Sequence, residues 1–148
     1  MISVLFVCTG NICRSPTADG VLRKMVNAAG ISHQITVDSA GTHGYHIGDS
    51  PDPRSRKAAQ KRGYDLSPLR ARKVNEADFT AFTHILAMDS SHLAHLLRIK
   101  PDNATAEIRL FLTQDVPDPY YGGPEGFEAV LDMVEAGCAA LLKTLTSC

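Results

Sequence analysis

The chain has 148 residues, 44% of them hydrophobic and 21% charged, enough for one core and too little for two. Its net charge of −1 gives no electrostatic reason to expect nucleic acid or a membrane surface as a partner. No apolar run approaches the ~20 residues of a membrane span, and four cysteines without C-x-x-C spacing do not make an exported disulfide scaffold. With no basic leader ahead of the first apolar segment, a reducing cytoplasm is the expected compartment.

The first element is the apolar run Ile2-Ser3-Val4-Leu5-Phe6-Val7, which predicts a strand. It ends in Cys8-Thr9-Gly10-Asn11-Ile12-Cys13-Arg14-Ser15, followed by Pro16, a residue suited to the first turn of a helix. A helix is predicted over 16–29, with Val21, Leu22, Met25 and Val26 on one face and Gly30 at its close. A second strand follows at 34–39, then an irregular loop from Gly41 to Pro53 and a basic helix over 54–62 ending at Gly63. A short helix at 75–81 leads into a third strand at 83–88. A helix at 90–98, a fourth strand at 107–111 and a long helix at 126–145 complete the chain. This alternation predicts one α/β domain over 1–148, a three-layer α/β/α sandwich around a four-stranded parallel sheet. Sites in such sheets lie at the carboxyl ends of strands, so the loops after the first, third and fourth strands should open on one edge.

The cysteine loop carries the chemistry. A glycine-containing turn that opens into a helix N-terminus can curl its N–H groups around an anion, with the helix dipole adding positive potential. Cys8 would sit at the floor of that cradle. Read alone, a cysteine at a strand end is a small buried hydrophobe. Arg14 changes the reading, because a planar guanidinium there can grip two phosphate oxygens, whereas for packing alone it would be an unpaired buried charge. Full ionisation of a thiol gains only ~30-fold in nucleophile at neutral pH. Phosphate-monoester hydrolysis needs up to ~10²¹-fold acceleration. Most of the effect must come from holding the phosphoryl group in line and from hydrogen bonds to its equatorial oxygens.

The run Val7 to Pro16 resembles the signature of the low-molecular-weight protein tyrosine phosphatases. The resemblance extends through Asp38-Ser39-Ala40-Gly41-Thr42, Ser50-Pro51-Asp52-Pro53-Arg54, Met88-Asp89 and Asp115-Val116-Pro117-Asp118-Pro119-Tyr120-Tyr121, in the family's order and over essentially the whole chain. It implies Cys8 as nucleophile through a phosphocysteine, and Arg14 with the loop residues Thr9, Gly10, Ile12 and Cys13 around the phosphate. Asn11 would fix the loop, and Ser15 would donate to the Cys8 sulfur. Without the family, Asp118 in its Asp-Pro pair reads as a turn residue. With it, Asp118 is the general acid that protonates the departing phenolate and then the base toward water, a role typically worth ~10²–10⁴-fold. Asp115 reads as a turn residue.

Tyr45, Tyr120 and Tyr121 are implied as walls of a slot for the substrate ring, deep enough to suit phosphotyrosine and to leave phosphoserine short. Ile12 resembles the tyrosine-directed members, whereas the arginine-phosphatase branch tends to carry threonine there. Cys13 reads either as packing or as the partner that captures oxidised Cys8 in a disulfide. Cys138 and Cys148 carry no motif and read as structural or incidental. One departure stands out: many relatives place a histidine within the stretch matching Ser67 to Arg72, bonded to the loop's serine and asparagine, where this chain has Leu69. The histidine pairs His43/His46 and His92/His95 lack a third ligand, so no metal is expected, and the second pair reads as a solvated helix face. The basic stretch Arg54, Arg56, Lys57, Lys61, Arg62 reads as another solvated face, the alternative being a guide for acidic phosphopeptides.

An arsenate reductase on the same scaffold would need two further cysteines after the third strand, and Asp89 to Arg98 contains none. A non-catalytic phosphate-binding module would be expected to lose Cys8, Arg14 or Asp118. The expectation is therefore a cytoplasmic protein tyrosine phosphatase without metal or cofactor. Its partners would be phosphotyrosine proteins, a tyrosine kinase among the candidates, and it would act as a monomer or weak homodimer.

Overall fold

A computed structural model describes residues 1–147; Cys148 lies outside the described residues. Four parallel strands, β1 (Ile2–Cys8), β2 (Ile35–Gly41), β3 (His84–Ala87) and β4 (Glu107–Leu110), pair in the order β2-β1-β3-β4. Between and after them run α1 (Arg14–Ala28), α2 (Pro53–Lys61), α3 (Asp78–Ala81), α4 (Ser90–Ile99) and α5 (Pro124–Thr146). The expected parallel sheet and its order of elements are both present.

β1 is central, and its alternation explains the two cores. Val4, Phe6 and Cys8 point to one face and pack with α1, α2 and α5. Leu5 and Val7 point to the other, where Phe79 and Leu96 cover them from α3 and α4. The part of β1 buried on both faces, Val4, Leu5, Phe6 and Val7, is apolar throughout, which is why the strand reads as a hydrophobic run. On the larger face Phe111 meets Phe6 edge-on at 5.1 Å between ring centroids, and the Cys138 sulfur lies within this core. Gly137 lets α5 approach Phe111 closely, since a Cβ there would fall 2.7 Å from its ring.

Several boundaries differ from the expectation, α3 beginning at Asp78 and α5 at Pro124 among them, and two of the differences shape the site. α1 begins at Arg14 rather than at Pro16, so the proline occupies the third helical position. Its missing N–H is one of the four that a helix start leaves unpartnered, so nothing is lost. β2 extends to Gly41, because Ser39, Ala40 and Gly41 pair with Phe6, Val7 and Cys8. The Gly41 amide then donates to the Arg72 carbonyl at 2.8 Å.

The stretch 54–62 is not simply a solvated face. Arg54 holds Asp52, the N-cap of α2, and lies over the Tyr120 and Phe127 rings. Arg62 pairs with Glu128, Asp132 and Glu135 and so ties the end of α2 to α5. Lys57 and Lys61 are exposed as expected.

Gly41 is where fold and loop meet most tightly. A Cβ added there would fall 2.6 Å from the Thr9 carbonyl oxygen and 3.2 Å from the Gly10 carbonyl carbon, both backbone. Gly41→Ala must displace the start of the cysteine loop and is expected to cost ~1–3 kcal/mol of stability, readable as a lowered urea midpoint.

Candidate active site

The loop after β1 turns at Asn11, whose φ of 59° is the one positive value outside glycine among the described residues. Asparagine tolerates this left-handed conformation better than most residues. Its carboxamide is fully used. Oδ1 accepts the Arg72 backbone N–H at 3.0 Å, which fixes the flip of the amide. Nδ2 then donates to Ser15 Oγ at 2.8 Å and to Ser39 Oγ at 2.9 Å. With the Ser15 oxygen accepting from Asn11, its own proton has two acceptors within reach, Cys8 Sγ at 3.0 Å and the more distant Ala40 carbonyl at 3.4 Å. Toward a thiolate the hydroxyl is the only possible donor of the two.

The outcome is a cradle. Among the described residues no protein acceptor takes the N–H groups of Gly10, Asn11, Ile12 or Cys13. The first turn of α1 adds its own unpartnered amides. Four backbone donors without acceptors around a buried sulfur suit an anion and little else.

Arg14 is 4% exposed and is held from behind. Nη1 donates to Asp89 Oδ2 at 2.7 Å and to the Val116 carbonyl at 2.9 Å. Its Nη2 edge faces Thr9 Oγ1 at 3.5 Å, His92 Nε2 at 3.4 Å and Asp118 Oδ2 at 3.8 Å. Asp89 also caps α4 through the Ser91 and His92 amides. Burial alone would raise its carboxyl, but hydrogen bonds from Ser91, Arg14 and the His92 amide hold it at about 2. A permanently charged Asp89 therefore offsets the buried guanidinium.

The sulfur, Arg14 and Asp118 meet in a cleft of about 210 Å³ that Thr9, Gly10, Ile12 and Cys13 also line. Tyr45, Tyr120 and Tyr121 form its rim, 71%, 38% and 90% exposed, so aromatic surface stands in solvent at the mouth. Asn11 and Ser15 do not line it; their side chains lie beneath the loop. Cys13 contributes to the wall, but burial pushes its thiol up to about 12. Asp118 sits on an exposed loop, where Oδ1 accepts the Tyr120 amide at 3.0 Å. Two anchors fix that loop. Asp115 accepts from the Ser90 amide and hydroxyl at 3.0 and 2.8 Å, a structural role as expected. Arg54 donates to the Tyr120 carbonyl at 3.0 Å.

Leu69 makes no polar contact with the loop and packs against the core on the α1 side. The Arg72 amide gives the support instead, and Arg72 itself is pinned by Asp38 and Asp78. Two site residues escaped the sequence reading. His46 lines the cleft against Gly10, where a Cβ would fall 2.9 Å from its ring. His92 is not on a solvated face: it is 2% exposed and lies under the cradle. Its partner His95 is half-buried, 5.5 Å from the ring of His43. The spacing of His92 and Asp89, a capping box, was the available signal. Among the described residues no cluster of three His, Cys, Asp or Glu side chains is placed to hold a metal ion.

The sequence profile of the low molecular weight phosphotyrosine protein phosphatases matches residues 3–147. A low molecular weight protein-tyrosine-phosphatase of Streptomyces coelicolor is 44% identical, the match covering 96% of this chain and 92% of that protein. The crystal structure of a protein tyrosine phosphatase from Entamoeba histolytica superposes with a TM-score of 0.92 at 39% identity, over 98% of this chain and 97% of that one. A Drosophila arginine phosphatase superposes with the same TM-score at 30% identity, over 97% and 98% of the two chains.

The buried histidine gives the fold an acid sensitivity. Burial, then the Arg14 charge, lowers the His92 ring from 6.5 to about 4, although Asp89, Asp118 and Asp115 pull the other way. Between these values the unfolded chain binds a proton that the native state does not, so stability is present above about 6.5 and falls as the pH drops toward about 4. His92→Asn is expected to flatten this part of the curve, measured as the difference between urea midpoints at neutral and mildly acidic pH.

Proposed function

The chain belongs to the low molecular weight phosphotyrosine protein phosphatase family and is a cysteine-dependent protein tyrosine phosphatase, and we propose that Cys8, Arg14 and Asp118 carry its chemistry. The observation behind this assignment is the sulfur of Cys8 at the foot of a cleft, ringed by unpartnered loop amides, with a guanidinium beside it and a carboxyl group above.

Cys8 Sγ attacks phosphorus, and the phosphoryl group passes from the tyrosine oxygen to sulfur. Asp118 gives its proton to the departing phenolate. The loop amides and the Nη2 edge of Arg14 take the equatorial oxygens, where the transition state carries its charge. In the second step Asp118 accepts a proton from water, water attacks phosphorus, and Cys8 leaves as a thiolate that Ser15 stabilises by its hydrogen bond. Because the scaffold already holds Arg14 through Nη1, little ordering is left to occur when phosphate binds.

The same reading makes Tyr45, Tyr120 and Tyr121 the walls that receive the tyrosine ring, with Ile12 an apolar contact at its base. Cys13 is the partner that captures an oxidised Cys8: the sulfenic acid condenses with the Cys13 thiol, a disulfide forms and water leaves. Supporting it, Cys8 and Cys13 are both free thiols. We place the enzyme, as a single domain over 1–148, in the cytoplasm. There it acts as a monomer or weak homodimer on phosphotyrosine proteins, a tyrosine kinase among the candidates.

Cys8→Ser is expected to abolish hydrolysis of a phosphotyrosine peptide while phosphate and vanadate still bind. Asp118→Asn should slow phenyl phosphate by ~10²–10⁴-fold and p-nitrophenyl phosphate much less, since the better leaving group needs no proton. Equal losses on both would remove Asp118 as the acid. Turnover should persist in EDTA, and preference for phosphoarginine over phosphotyrosine would overturn the argument from Ile12.

A further inference from the structure

His92 is a buried imidazole that no step above uses, and it joins three parts of the site at once. The Asp89 backbone N–H donates to Nδ1 at 3.2 Å. A nitrogen that accepts carries no proton, so the neutral ring holds its proton on Nε2. From there it reaches Thr9 Oγ1 at 2.8 Å, with Arg14 Nη2 3.4 Å away. Thr9 is the residue next to Cys8 and lines the cleft, whereas His92 does not. Since the threonine oxygen accepts from the imidazole, its own hydroxyl proton points elsewhere, and the open side is the cleft.

We propose that His92 is a positioning residue for the phosphatase reaction: its Nε2–H fixes the Thr9 hydroxyl, whose oxygen also accepts from Arg14 Nη2 at 3.5 Å, and so sets how the cradle meets a phosphoryl group. The proposal rests on the reading of the Cys8 loop as the phosphoryl site. It separates two jobs that one ring performs. Nδ1 completes the capping box at the start of α4, a matter of stability. Nε2 reaches the loop, a matter of catalysis. A side chain with only the first job would be a helix cap that happens to lie near the site.

Two variants split the ring. Asparagine places an acceptor where Nδ1 stands and reaches no further, so His92→Asn keeps the cap and loses the loop contact. Glutamine places a donor where Nε2 stands, so His92→Gln keeps the loop contact and loses the cap. The experiment is the kcat and KM of wild type, His92→Asn, His92→Gln, Thr9→Val and the Thr9→Val/His92→Asn pair on a phosphotyrosine peptide. The inhibition constant of inorganic phosphate and the melting temperature are measured on each protein.

His92→Asn is expected to lose about tenfold in kcat/KM, the equivalent of one buried hydrogen bond. Its phosphate affinity should fall and its melting temperature change little. His92→Gln should show the reverse, near wild-type turnover with a lowered melting temperature. The double variant should be no worse than the worse single one, because both remove the same contact. The proposal is overturned if His92→Asn turns over within about twofold of wild type, if glutamine is as poor as asparagine in kcat/KM, or if the losses of Thr9→Val and His92→Asn multiply. A wild-type protein that hydrolyses no phosphotyrosine would instead sink the reading of the site itself.

Discussion

One left-handed residue holds the site together. A chain leaving a central strand must reverse within a few residues to start α1, and it does so at Asn11 with φ at 59°. That turn exposes the loop amides inward, and the three hydrogen bonds of the Asn11 side chain lock it to α1 through Ser15, to β2 through Ser39 and to the segment before α3 through Arg72. Without these bonds the chain would relax toward ordinary backbone angles, and the amides would no longer converge. The position of the nucleophile, its serine partner and the start of the helix dipole all follow from this turn.

The second constraint is a buried positive charge. A guanidinium at 4% exposure survives in the core only if paired, and breaking such a pair by removing one partner typically costs ~3–5 kcal/mol. Asp89 and the Val116 carbonyl meet that need with Nη1, on the side away from the cleft. The same two contacts reach the start of α4 and the loop of Asp118. Acid and anion site are thus built on one network, and this is how residues far apart in sequence keep a fixed separation. Arg54 and Asp115 complete the arrangement by holding the exposed Asp118 loop at both sides.

Much of this was legible in the chain. The continuous apolar run of β1, the glycine-containing loop and Pro16 gave the strand, the turn and the helix, because each depends on neighbours in sequence. Asp118 was found only through resemblance, since an Asp-Pro pair has no local feature that separates an acid from a turn. His92 was misread, because a histidine on a helix has the same sequence signature whether its face meets water or a loop from the other end of the chain. The support beneath Asn11 was hidden for a related reason. A backbone amide from Arg72 is a donor that any residue supplies, so its identity leaves no trace at that position, and Leu69 is free to serve the core instead. Local geometry was readable; long-range polar partners were not.

The central claim is that loop geometry, set by the Asn11 side chain, does most of the catalytic work. Asn11→Gly tests it most directly, because glycine accepts the left-handed backbone and removes only the three hydrogen bonds. The measurement is kcat/KM on a phosphotyrosine peptide alongside a melting curve. A folded variant that has lost about a hundredfold or more in kcat/KM, as removal of a preorganising element should give, is the predicted result. A folded variant that turns over phosphotyrosine at the wild-type rate would contradict the account.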